Sequence, residues 1–209
     1  MSATGAAIAP LVIFKGKSVQ KQWFPSDMGL YQGWHFTATP NGWTSDDTAL
    51  EWLQKVFIPN TQPSDLSEAR LLIIDGHGIH TTTDFMYSCF QNNIYLLFLP
   101  AHTSHILQPL DLAVFSVLKR AYRKQLGYIQ YLNDSIIIGK RNFLKFYQRA
   151  RLKDLSGQNI RAGWKTAGLR PVSMVKPLMS PLLLENHNAG LDQAKKALVT
   201  PVRADSTSK

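Results

Sequence analysis

The stretch Arg70–Asp111 reads RLLIIDGHGIHTTTDFMYSCFQNNIYLLFLPAHTSHILQPLD. Leu71 to Ile74 is a short, branched, wholly apolar run ended by Asp75-Gly76. That is the pattern of a strand buried on both faces. Gly76 and Gly78 mark a turn. Thr81, Thr82 or Thr83 can cap a helix carrying Phe85, Met86, Cys89 and Phe90 on one side. Ile94 to Leu99 is a second strand of the buried kind, stopped by Pro100. Strand, helix and strand with short joins make a βαβ unit, which predicts parallel strands and a right-handed crossover. Asp75 then stands at the carboxyl end of the first strand, where open α/β sheets place their ligands. Asp111 opens the next helix, so two carboxylates are carried to one edge of a sheet. The fold class read from this unit is α/β.

Upstream, Leu11 to Phe14 reads as a strand turned at Lys15-Gly16-Lys17, oddly close to the first residue for a strand inside a sheet. Trp23 to Trp34 reads as a loop, with Trp34 to Thr39 as a further strand and Asn41-Gly42 as a turn. Thr44 or Ser45 caps a helix whose Ala49, Leu50, Trp52, Leu53, Val56 and Phe57 follow helical spacing. Downstream, Leu110 to about Tyr131 is the longest helical pattern. Its apolar face holds Leu110, Val114, Val117, Leu118, Ala121 and Tyr122, and its other face Arg120, Arg123 and Lys124. Lys119 lies two turns beyond Asp111 and about 80° around the axis. Residues 142–150 and 156–168 read as two more helices, and 181–209 as a loosely held, disordered tail.

The chain has 209 residues, 44% of them hydrophobic, which suffices for one core. Lys and Arg outnumber Asp and Glu by 23 to 14, a net charge of +9. Such an excess favours polyanionic partners, nucleic acid first, although a solvated basic surface is the commoner use of such charge. Cys89 is the only cysteine, so an internal disulfide is excluded and an inert core thiol is expected. No apolar run approaches the ~20 residues that span a bilayer, and no secretion signal opens the chain. A soluble, intracellular protein without a membrane partner is the expectation.

Three constellations can carry chemistry. Asp75 and Asp111 offer hard oxygen ligands to a divalent cation that would polarise a phosphodiester and activate water. Singly, each is more often a turn or a cap; together, the metal reading weighs about as much. His77, His80, His102 and His105 are spaced three apart in pairs and with Asp75 could form a zinc hydrolase centre. Against that, Gly- and Ser-rich loops do not fix imidazoles as a helix does, and hydrogen bonding of His77 and His105 to the carboxylates and loops is the plainer use. Ser104, His105 and Asp111 could form a nucleophilic triad, but no nucleophile elbow is present. Lys119, Arg120, Arg123 and Lys124, with Arg141, Lys145, Arg149, Arg151 and Lys153 further on, could bind phosphates beside the metal site. Trp43, Trp52 and Trp164 are expected in the core rather than as base-stacking platforms.

LLIIDGHGIH followed by NNIYLLFLPAHTSHILQPLDLAVFSVLKRAY resembles the catalytic core of the pogo branch of the Tc1/mariner transposase superfamily, the DDE-1 endonuclease domain. The motif is an Asp-Gly-His strand end, then Leu-Pro-x-His-Thr-Ser-His-x-x-Gln-Pro-Leu-Asp. Weaker likeness extends through PLVIFKGK and GWTSDDTALEWL upstream and NIRAGWKTAGLRPV downstream. Ile79 departs from the Ser usual there. The resemblance implies a ribonuclease-H-like mixed sheet flanked by helices, and two Mg²⁺ or Mn²⁺ ions on three carboxylates. Asp75 matches the second of these and Asp111 the third. It further implies DNA as partner and the nucleus as location, and His77, His105, Lys119, Arg120, Arg123 and Lys124 are the candidate nucleic-acid contacts. The first carboxylate would lie on a strand upstream of SATGAAIAPLVIFKGK; Asp27, Asp46, Asp47 and Asp65 do not match it. The expectation is a truncated core over residues 1–133 that lacks its first strand, then a helical extension over 134–180. Catalysis would be impaired or lost. A non-catalytic nucleic-acid-binding module is the alternative, and a homo-oligomer stays open.

Overall fold

The decisive unit forms as its pattern predicts. In the computed structural model, which describes residues 1–75, 82–132, 139–180 and 183, strand β3 (Arg70–Asp75) pairs in parallel with β4 (Ile94–Leu99). Helix α3 (Thr83–Gln91) lies between them in sequence, and its cap is the Thr82 hydroxyl, which accepts the Phe85 N–H. His77, His80 and Ile79 lie outside the described residues, as does almost all of the 181–209 segment.

Upstream, β1 (Leu11–Lys15) pairs in parallel with β2 (His35–Thr39), and the link between them makes two 3-10 turns, Lys21–Trp23 and Gly29–Tyr31. Helix α1 (Asp46–Trp52) starts in a reciprocal cap, with the Ser45 hydroxyl accepting the Thr48 N–H and the Thr48 hydroxyl accepting the Ser45 N–H. It runs on through a π-helical turn, Leu53–Phe57, into a last turn, α2 (Ile58–Asn60). After β4 come the short α4 (Ser104–Leu107), a second π-helical turn (Leu110–Val114) and α5 (Phe115–Leu132). Helices α6 (Lys140–Asp154) and α7 (Gly157–Thr166) follow, then a single turn, α8 (Val175–Leu178). The long helix expected from Leu110 onward is therefore π-helical over its first five residues, the turn that carries Asp111.

The protein is α/β, but the single mixed sheet implied by the resemblance is replaced by two separate parallel pairs among the described residues. Each pair has its own apolar cluster. Leu72, Ile74 and Leu96 pack on Ala49, Leu53, Phe85, Cys89 and Ile94. Val12, Phe14, Tyr31 and Leu144 form the second, ringed by Trp23, Phe24, Trp34, Phe36 and Phe143. Helix α6 supplies Leu144 and Phe143, so it shares a core with β1 and β2 rather than standing apart.

Two expectations need correction. The β3–β4 pair is covered on one face only: opposite the α1–α3 cluster, Leu71 is 60% exposed and its register partner Tyr95 64%. A run apolar at every position does not reveal which face stays uncovered, because the alternation that would mark it is missing. Trp43 is 75% exposed and not in a core. Its backbone is tied into the Asn41-Gly42 turn by Asn41 Oδ1 and the Thr39 hydroxyl, which leaves the indole pointing outward.

Candidate functional site

Asp75 is the last residue of β3 and lies on the same face as Leu71 and Ile73, away from the α1–α3 cluster. Asp111 sits in the first turn of the π-helical segment, with its N–H donated to the Gln108 carbonyl at 3.1 Å. Residues 109 and 110 of that segment and all of β3 from Leu71 to Asp75 line one cavity of about 1050 Å³. Leu11 and Ile13 of β1 line it too. Among the described residues, β1 and β3 each have a strand neighbour on one side only.

Asp111 is shifted by its surroundings. The Asp111 carboxyl is held above its ordinary pKa, first by partial desolvation. The Lys119 cation opposes that rise and the Asp75 charge adds to it. The βαβ unit and the following helix thus carry Asp75 to a strand end and Asp111 to the π-helical turn, with the Asp75 charge reaching Asp111. Lys119, one of the cations read as phosphate contacts, joins them electrostatically. Lys119, Arg120, Arg123 and Lys124 are all exposed on α5.

Other candidate groups are dispersed. Among the described residues, no three His, Cys, Asp or Glu side chains converge on a common point. His102, held in the left-handed region at φ 60°, and His105 on α4 are both exposed. Ser104 and His105 are consecutive in that helix, so their side chains diverge by about 100° and do not make a nucleophile–base pair. Cys89 is buried in the first cluster, and burial pushes its thiol up to about 11, as expected of an inert core residue.

Two features that hold the site were not evident in the sequence. Gly163 of α7 lies so close to the π-helical turn that a Cβ there would stand 2.5 Å from the Pro109 carbonyl oxygen and 3.4 Å from the Ala113 Cβ. The C-terminal helices therefore brace the turn that presents Asp111. The Arg70 guanidinium donates to the carbonyls of Ile58 and Asn92 and to the Thr61 hydroxyl, tying the start of β3 to α2 and to the turn before β4. Only the Asn159–Val172 stretch singled out downstream hinted at the first, and nothing at the second.

Comparison with known proteins agrees with this picture. The family model described as DDE superfamily endonuclease matches residues 1–164. A protein named MFS-type transporter clz9, from Cochliobolus lunatus, is 36% identical over 174 residues, covering 82% of this chain and 18% of that protein. The mouse and human proteins named Pogo transposable element with KRAB domain are each 26% identical over 123 residues, covering 59% of this chain and 19% of theirs. The chain thus spans under a fifth of the length of these curated relatives. Among the described residues, no helix is long and apolar enough to cross a membrane. No solved structure matches. By the family match over three quarters of its length and its pogo relatives, the chain belongs to the DDE superfamily endonucleases, as a pogo-type domain.

Proposed function

We propose that this domain is a transposase-derived, ribonuclease-H-like nuclease core that engages DNA in the nucleus and holds Mg²⁺ or Mn²⁺ between Asp75 and Asp111. The observation that carries the reading is the electrostatic coupling of these two carboxylates across the strand end and the π-helical turn. A bound cation would polarise a phosphodiester and lower the pKa of its water. The chain's own part is to supply hard oxygen donors from two rigid elements and to keep Lys119 beside them. His77, His105, Arg120, Arg123 and Lys124 are the further candidates for contact with the nucleic acid.

Catalysis by this chain alone is weak or absent in this reading. A two-ion centre in this family uses three carboxylates, of which the reading assigns two, Asp75 and Asp111, and a centre with fewer ligands loses metal affinity and rate. The exposed cations Lys119, Arg120, Arg123 and Lys124 of α5 suit a second reading, a nucleic-acid-binding module without cleavage.

Calorimetric titration with Mn²⁺ tests the centre: binding by the unaltered chain, abolished by Asp75→Asn and by Asp111→Asn, is expected. Absence of Mn²⁺ binding by the unaltered chain rules the centre out. A nicking assay on supercoiled plasmid with Mn²⁺ separates the two readings. Robust cleavage that both variants lose would overturn the claim of weak catalysis.

A further inference from the structure

The charges of this chain are segregated. Between residues 46 and 111 the acids outnumber the cations eight to two. Over residues 1–45 and 139–180 the cations outnumber the acids thirteen to two, so most of the basic excess lies in β1, its turns and the C-terminal helices, with Lys119, Arg120, Arg123 and Lys124 of α5 adding to it. The fold gathers much of that excess on one surface. Lys140 at the start of α6 donates to the Lys15 carbonyl at 2.6 Å and sits 3.2 Å from the Trp23 ring centroid. Arg141 donates to the Phe24 carbonyl at 2.8 Å. These two cations are spent on anchoring α6 to β1 and the first 3-10 turn. The anchor sets the start of α6 beside Lys15, with the exposed Lys17 two residues on, and beside the first 3-10 turn, which carries the exposed Lys21; from there the exposed Lys145, Arg149 and Lys153 run along α6, spaced four residues apart and thus on one side of the helix.

Among the described residues, the only ion pair is Lys55 with Glu51, in the acidic half. Asp27 and Arg149 both act on Tyr31, so one acid does face the α6 stripe. Asp154 at the end of α6 is half-buried. Where α6 first meets α5, the surface stands apart from the acid pair. Tyr122 of α5 meets Phe143 of α6 at 5.7 Å, and about 17 Å of helix separates Tyr122 from Asp111. Along α6 the distance from Arg141 to Lys153 is about 18 Å, the rise of about five base pairs.

We propose that the exposed cations of β1, the first 3-10 turn and α6 form a docking face for the phosphate backbone of duplex DNA, separate from the Asp75–Asp111 centre. The choice of DNA among polyanions rests on the functional reading above; the face itself rests on charge and geometry. Phosphate contacts of this kind position a duplex without reading its sequence, and each contributes about 0.9 to the slope of log affinity against log salt.

The test is a fluorescence anisotropy titration of a labelled 20-base-pair duplex of arbitrary sequence with the full chain, in EDTA, from 50 to 250 mM NaCl. The variant Lys17→Gln/Lys21→Gln/Lys145→Gln/Arg149→Gln is expected to lose at least about tenfold in affinity at 100 mM salt and to flatten the slope by about 3 to 4. Replacing the three lysines with arginine should retain binding. If circular dichroism shows the quadruple variant unfolded, the four single variants replace it, each expected to flatten the slope by about 0.9. An unchanged slope overturns the proposal, as does a preference for anionic vesicles or single-stranded RNA over the duplex. Because EDTA removes divalent ions, a failure of Mn²⁺ binding would sink the metal centre and leave this result standing.

Discussion

Asp111, a metal ligand in the proposed function, also carries a cost. With its carboxyl pKa raised in the fold, the protonated form is favoured there relative to the unfolded chain. The folded state then binds more protons between the two pKa values, so this group's contribution to stability is largest below the unfolded pKa. It falls as pH rises through the folded one. A cation reverses the preference, because it binds the ionised form. Mn²⁺ affinity is therefore expected to rise with pH through and just above the carboxylate range, and a flat calorimetric profile from pH 4.5 to 6.5 would contradict the assignment. The coupling has its own check. Asp75→Asn removes the neighbouring negative charge and should lower the Asp111 pKa in a carbon-detected NMR titration, while Lys119→Gln should raise it. An Asp111 titration indifferent to both changes would mean that the side chains are too far apart to share an ion.

At the scale of the element, the site depends on how helices begin and how closely they approach. Ser45→Ala removes one half of the reciprocal cap on α1 and should cost about 1 kcal/mol in denaturant unfolding. No effect on Mn²⁺ binding is expected, since α1 packs on the face of β3 away from Asp75. Gly163→Val is the opposite case. It lies outside the acid pair, yet its side chain would collide with the Pro109 carbonyl and shift the turn that presents Asp111. Overpacking of this kind costs roughly 1–3 kcal/mol, and Mn²⁺ binding should weaken with both carboxylates intact. Full Mn²⁺ affinity in a folded Gly163→Val chain would show that α7 does not position the turn.

For the whole molecule, the two strand pairs have separate cores, and α6 joins one of them through Leu144, which is fully buried. Leu144→Ala should destabilise the fold by about 2–5 kcal/mol. Because α6 also packs along α5 through Tyr122 and Phe143, the loss should lower the midpoint of a single unfolding transition. A separate, early transition confined to the C-terminal helices would show that residues 140–166 fold as an independent unit. The same packing carries the basic stripe of α6 to the turn after β1.

Local order decided much of this protein and is legible in its residues. The apolar runs of β3 and β4, the threonine cap of α3, the Asn41-Gly42 turn and the Ser45 cap each follow from interactions within a few positions along the chain. The placement of Asp75 at a strand end and of Asp111 in a helix's first turn was also readable, because one βαβ unit with short joins leaves the intervening chain little freedom. Tertiary structure alone decided what no local pattern encodes. It set two strand pairs in place of one sheet, turned Trp43 outward, left one face of β3 uncovered and seated Gly163 against Pro109. Each of these depends on contacts between residues far apart in sequence, and side-chain periodicity reports which residues share a face without saying what that face will meet.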